Sequence, residues 1–247
     1  MKNLTLLIFL FPVAVIAAKL KCPDGQFFVK SHFRKAYTKS DGTAVSATTV
    51  RPYCKLLSKG AEYLQKKFKS GLPTNWPHKS EKPAAWTEHE KQRLIEIIDE
   101  LPDAMLIKDL DGIYRASKSK DGLNPATNAD GVIVLYDTAF VKSRHLGQIL
   151  VHELAHRKFN ELKEDEKRDY GLAAGWTRQV ESPGKFVWEP RKNGYVEEDG
   201  PYSREEDFSN NIEYFLYNPA KLNKTTPGAY EWIEKHYGKR FSIKKGG

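Results

Sequence analysis

The chain has 247 residues, 40% hydrophobic and 29% charged, with 40 Lys and Arg against 32 Asp and Glu for a formal net charge of +8. That length allows one large domain or a smaller domain with an extension, and the composition excludes a low-complexity or collagen-like chain. Two cysteines exclude a disulfide-dense scaffold and a four-cysteine zinc module.

Lys2 precedes an almost wholly apolar run, Leu4 to Ala18, that ends in small residues. This is the pattern of a secretory signal peptide over residues 1–18. The run is about fifteen residues, short of the ~20 that a spanning helix needs, and no later segment is apolar enough to span. The expected location is therefore secreted or periplasmic. In an oxidising compartment, Cys22 and Cys54 are expected to form a disulfide.

Residues 19–86 form a basic N-terminal region with no assigned role. Within it, residues 58–68 predict a short helix, and the proline-bearing stretch 72–83 predicts a connector. Residues 87–247 form the second region. Thr87 and Glu90 have capping-box spacing, and Leu94, Ile97, Ile98 and Leu101 share one helical face before Pro102. Residues 106–110 and 113–116 flank Asp111-Gly112 and predict a hairpin. The β-branched run 132–136, after Asp130-Gly131, predicts a buried strand whose free edge would receive an extended peptide. Helices are expected over 143–160, 164–174, 203–217 and 228–237, with 175–201 irregular. Several helices around a small mixed sheet imply an α+β fold.

The chemistry lies in His152-Glu153-Leu154-Ala155-His156. Residues four apart on a helix stand one above the other, so both imidazoles can reach one Zn²⁺ at ~2.0–2.1 Å. Glu153, about 100° around the helix, lies beside the metal and can act as base without ligating. A catalytic zinc wants a third protein ligand and an open position. The same segment does not supply that ligand, because Phe159 and Leu162 stand where a Gly and a third His would continue the motif. The best later segment is 203–215, where Glu206, Asn210 and Glu213 share a helical face. Glu206 is the preferred ligand. Ser203 and Glu206 also have capping-box spacing, so a pure capping role stays open, as do Glu213 and Glu205 as ligands.

These residues resemble the gluzincin metallopeptidases: His-Glu-Leu-Ala-His, then Glu206-Asp-Phe-Ser-Asn some fifty residues later. The chain is most similar to the anthrax lethal factor-like group and more loosely to the Pro-Pro endopeptidases. The resemblance covers roughly residues 87–237. It implies a zincin-like catalytic domain over 87–247, with His152, His156 and Glu206 on one zinc, Glu153 as general base, Phe208 as packing aromatic and Ser209 as the small residue. Asn210 stands where the group carries an acid behind the ligands. The group also places an oxyanion-holding tyrosine ahead of the ligating Glu. Asp199 occupies the matching place here, Tyr202 and Tyr195 flank it, and His145 comes next.

The expected activity is that of an exported zinc-dependent endopeptidase that hydrolyses peptide bonds through a zinc-activated water, with a protein or peptide as substrate. The basic stretches 55–69 and 235–245 suggest anionic cell-envelope polymers as further partners. They carry no recognition motif for nucleic acid, which is not an expected partner. Two alternatives stay open: a polymer-binding protein with a structural or vestigial zinc site, and a toxin-like protease effector that binds its target through residues 19–86.

Overall fold

The computed structural model describes residues 22–23, 26–29, 31–38, 42–78, 80–129, 131–141, 145–182, 184–238 and 241–244. The leader expected over 1–18 lies outside them, as do Asp130 and Ser143. Among the described residues, no helix is long and apolar enough to cross a membrane. The chain divides into two compact units at the Leu57–Ser58 junction, upstream of the boundary expected at 86/87. Residues 58–86 belong to the second unit because their helix and connector pack on its core.

The first unit contains six short strands that the sequence reading did not anticipate: β1 (Gln26–Val29), β2 (His32–Arg34), β3 (Tyr37–Thr38), β4 (Ala44–Val45), β5 (Thr48–Val50) and β6 (Tyr53–Leu56). They pair antiparallel and nested, β1 with β6, β2 with β5 and β3 with β4, as in one long interrupted hairpin. Among its residues with described burial, none is buried. Cys22 and Cys54 are disulfide-bonded, as expected, across a separation of 32 residues. A bridge of that span stabilises by about 3–4 kcal/mol in the chain-entropy model.

The second unit starts with α1 (Lys59–Leu64) and α2 (Glu88–Glu100). The full capping box at Thr87 and Glu90 starts α2, and Leu94 and Ile98 bury its inner face. A Cβ at Gly60 would collide with the Ile95 carbonyl, so glycine is what lets α1 lie against α2. The connector is pinned by buried Glu81, which accepts from Trp76 Nε1 at 2.8 Å and from the Tyr136 hydroxyl at 2.9 Å.

Strands β7 (Gly112–Arg115), β8 (Ala126–Ala129) and β9 (Val132–Leu135) form a mixed sheet in the order β7-β9-β8. β7 runs parallel to β9, and β8 antiparallel. The hairpin expected around Asp111-Gly112 does not form. Residues 106–110 carry no strand, and the Asp111 N–H bonds the Gly131 carbonyl at 2.9 Å, which starts the non-local pairing instead. The strand expected at 132–136 is present and buried, but it is central. The free edge belongs to β8.

The helices α3 (Leu146–Glu161), α4 (Glu164–Ala173), α5 (Arg204–Tyr217), α6 (Pro219–Thr225) and α7 (Pro227–Tyr237) complete the unit, with a hairpin of β10 (Thr177–Ser182) and β11 (Lys185–Glu189) in the segment expected to be irregular. The architecture is mixed α+β with seven α-helices and small sheets among the described residues. Leu146, Leu150, Leu154 and Phe159 on α3 meet Phe208 and Ile212 on α5 in one core. Phe208 is fully buried, at ring distances of 5.4 Å from Phe159 and 4.9 Å from Tyr170. This packing sets α3 and α5 side by side and determines which polar groups meet across them.

Candidate metal centre

The His-Glu-Leu-Ala-His stretch lies on α3, and Glu206 is in the first turn of α5. His145 caps α3. Gly147 sits so close to the Tyr217 hydroxyl that a side chain there would collide with it, which allows α5 to approach α3 closely. Asn128 Nδ2 on β8 donates to the Glu153 carbonyl at 2.7 Å and ties the edge strand to the helix at this point.

His152 Nε2 and His156 Nε2 are 3.1 Å apart. Glu206 Oε2 lies 3.4 Å from the first and 3.5 Å from the second. Ligands on a tetrahedral cation with bonds of ~2.0–2.1 Å stand about 3.3–3.4 Å from one another, so this triangle has the size such an ion requires. The three side chains form a group that could hold a metal ion. Ser203 Oγ accepts from the Glu206 N–H at 3.0 Å and caps α5, while the Glu206 carboxylate faces the histidines. The sequence left ligand and cap as alternatives; the cap is Ser203, and the Glu206 side chain is turned to the metal group.

Each imidazole has a carboxylate on its far side. His156 Nδ1 lies 3.2 Å from Glu205 Oε1, and His152 Nδ1 lies 3.8 Å from Glu213 Oε2. Glu213 therefore stands behind His152, away from the triangle. Burial opposes a charged His152 ring, but the Glu206 hydrogen bond and the negative charges of Glu153, Glu206 and Glu213 outweigh it and push its pKa up to about 9. Burial also opposes ionisation of Glu206, yet the hydrogen bond from His152 and the two imidazoles hold its carboxyl below the usual range. Glu153 is 7% exposed, and burial raises its pKa against the pull of both histidines. Burial is also the main reason Glu213 rises to about 7, with Glu197 and Asp199 adding to the effect.

Two clefts, of about 530 and 320 Å³, share Asn124, Ala126, His152, Glu153 and Asp199 in their walls. His152 and Glu153 are thus reached from both, with β8 along one side. Sequence reasoning missed Glu197 and named Asp199 only as the residue at the expected tyrosine's place; both come from the segment before α5. No periodicity marks them. Asp199 is held by Asn210 Nδ2 at 2.6 Å, and Glu197 by the Tyr214 hydroxyl.

The structure does not bring the expected oxyanion tyrosines to this place. Tyr202, in the short turn Gly200–Tyr202, is 81% exposed. The Tyr195 hydroxyl donates to the Arg191 carbonyl at 3.1 Å, and neither tyrosine is in the walls of the two clefts. The cause is a buried salt bridge from Arg191 to Asp207, which draws the segment onto the core beside α5 and takes Tyr195 with it under the guanidinium. His145 does line the larger cleft.

Comparison with protein-family models, curated proteins and solved structures gives no match.

Proposed function

We propose that this chain is an exported zinc-dependent endopeptidase of the gluzincin type, built on a zincin-like domain. One observation carries the reading: the triangle of His152 Nε2, His156 Nε2 and Glu206 Oε2, with edges of 3.1, 3.4 and 3.5 Å, beside a buried glutamate in a cleft. An N₂O donor set suits zinc and leaves a fourth position free. Bound there, zinc supplies Lewis acidity that lowers the pKa of water towards ~7 and polarises a carbonyl. The remaining chemistry belongs to the chain. The Glu153 carboxylate takes the proton from the attacking water and delivers it to the leaving amine nitrogen. Burial raises its pKa above the ordinary carboxylate value, which makes it a stronger base. The free edge of β8 can hold an extended peptide by main-chain hydrogen bonds. Export accounts for the disulfide.

The test is metal content followed by cleavage. The full chain is expected to carry one zinc, and His152→Ala, His156→Ala and Glu206→Gln to lose it. Full zinc in both histidine variants would remove the site assignment. Zinc-loaded protein that cuts nothing in a peptide library would favour the polymer-binding alternative. One observation speaks for that alternative: in the first unit Phe33, Tyr37 and Tyr53 are exposed beside Arg34, Lys35 and Arg51.

The larger cleft also predicts a substrate preference. Glu197, Asp199 and Glu213 face it, while Leu123 and Ile149 give it an apolar side for the alkyl stem of a long cationic residue. Peptides with Lys or Arg next to the cut bond are expected to react faster, on the order of 10–100-fold, because a close charge pair near a protein surface is worth ~1–4 kcal/mol. Combining Glu197→Gln with Asp199→Asn, which leaves only Glu213 of the three carboxylates, should sharply reduce the preference while zinc stays bound. An unchanged cleavage profile would contradict it.

A further inference from the structure

Asn210 stands one turn after Glu206 on α5. Its amide is committed elsewhere, with Nδ2 donating to Asp199 Oδ1 at 2.6 Å. One turn further along the same face of α5, Glu213 lies behind His152. Its Oε1 accepts from Gln148 Nε2 at 3.0 Å, which leaves Oε2 facing His152 Nδ1 at 3.8 Å. Gln148 is one turn before His152 on α3, so the carboxylate is held by the helix that it supports.

We infer that Glu213 is the positioning residue for His152 and that Glu205 is the positioning residue for His156. A carboxylate at Nδ1 keeps the proton on that nitrogen, turns Nε2 towards the metal and raises its basicity. At 3.8 Å the Glu213 carboxylate faces the Nδ1–H of His152 as a charge–dipole contact, longer than a hydrogen bond; the Glu205 contact at 3.2 Å is within hydrogen-bond reach. Asn160 Nδ2 donates to the same Glu205 Oε1 at 3.3 Å. One helix therefore supplies the ligand Glu206 and both supporting carboxylates, at positions 205, 206 and 213. The geometry follows from the helical period: 205 is about 100° around from 206, and 213 returns close to the 206 face two turns on.

This inference rests on the zinc reading, and its test separates the two. Zinc affinity of the full chain is measured by chelator competition for the wild type, Glu213→Gln, Glu205→Gln and Asn210→Ala, with the melting of each zinc-free protein and the visible absorption of each cobalt-substituted protein. Glu213→Gln and Glu205→Gln are each expected to bind zinc about 10–100-fold more weakly, with an altered cobalt spectrum and unchanged melting of the zinc-free protein. Asn210→Ala is expected to keep wild-type affinity. If Glu213→Gln binds zinc as tightly as the wild type, or loses affinity only in step with zinc-free stability, the assignment of Glu213 is wrong. A larger loss in Asn210→Ala would give the role to position 210. A wild-type chain without zinc affinity would remove the functional reading and this inference with it, whereas normal zinc binding in Glu213→Gln removes this inference alone.

Discussion

Glu153→Gln is expected to retain zinc and to lose turnover by ~10²–10⁴-fold, the usual cost of removing a general base. The substitution is close to isosteric, so packing around a residue that is 7% exposed changes little. The three metal-facing atoms come from His152, His156 and Glu206, and none of them is altered. What disappears is the ability to accept a proton from water and return it to the amine. The Asn128 bond to position 153 goes to the backbone carbonyl and survives. Assays compare the turnover of a peptide found by library screening with the zinc content of the same sample. Near-normal cleavage by a zinc-loaded variant would refute the mechanism; loss of zinc would instead make Glu153 a ligand.

Arg191→Met is expected to destabilise the second unit by about 3–5 kcal/mol, the cost of leaving one half of a buried ion pair. Asp207 has no exposed surface. Arg191 meets it with Nη1 at 2.7 Å and Nη2 at 2.9 Å. Trp176 Nε1 donates to Oδ2 at 2.8 Å, and Asn211 Nδ2 to Oδ1 at 3.1 Å. Without the guanidinium, a buried carboxylate retains two neutral donors and no counter-charge. The same guanidinium reaches the Gly194 carbonyl at 2.9 Å, so the segment carrying Glu197 and Asp199 should loosen too. Urea denaturation measures the first effect, and proteolysis between β11 and α5 the second. Pairing Arg191→Met with Asp207→Leu should recover part of the loss, since no charge is then stranded. Stability of Arg191→Met within ~1 kcal/mol of the wild type would show that the pair does not anchor this segment.

Local signals in the sequence transferred well to the structure. The capping box at Thr87, the stripe Leu94–Ile98 and the stop at Pro102 depend on neighbours within a turn or two, and α2 forms where they indicate. The stripe through Leu146, Leu150 and Leu154 likewise places α3, although it begins at Leu146 under a His145 cap. Signals that needed a distant partner failed. Asp111-Gly112 has turn chemistry, but the strand after it pairs in parallel with β9, which no short-range pattern encodes. β10 and β11 escaped notice because their residues are almost all exposed, so they show no apolar alternation. The strands of the first unit are two to four residues long, too short for a period to show.

By itself the sequence picked out a candidate pair of metal-binding histidines and a candidate base. Two histidines at i and i+4 with a glutamate between them must present two imidazoles on one face and a carboxylate beside them, because the helical period requires it. It also narrowed the candidate third ligand to a few carboxylates on one later helix. Tertiary structure brings one of them, Glu206, to both histidines. Only the packing of Phe159 and Tyr170 on Phe208 brings α3 and α5 to the register in which Glu206 meets both Nε2 atoms while Glu205 and Glu213 meet the Nδ1 atoms. The same packing, with the Arg191–Asp207 pair, sends Tyr195 to the core side and Asp199 into the cleft. Those outcomes rest on contacts between residues far apart in the chain, whose geometry exists only once the helices have docked.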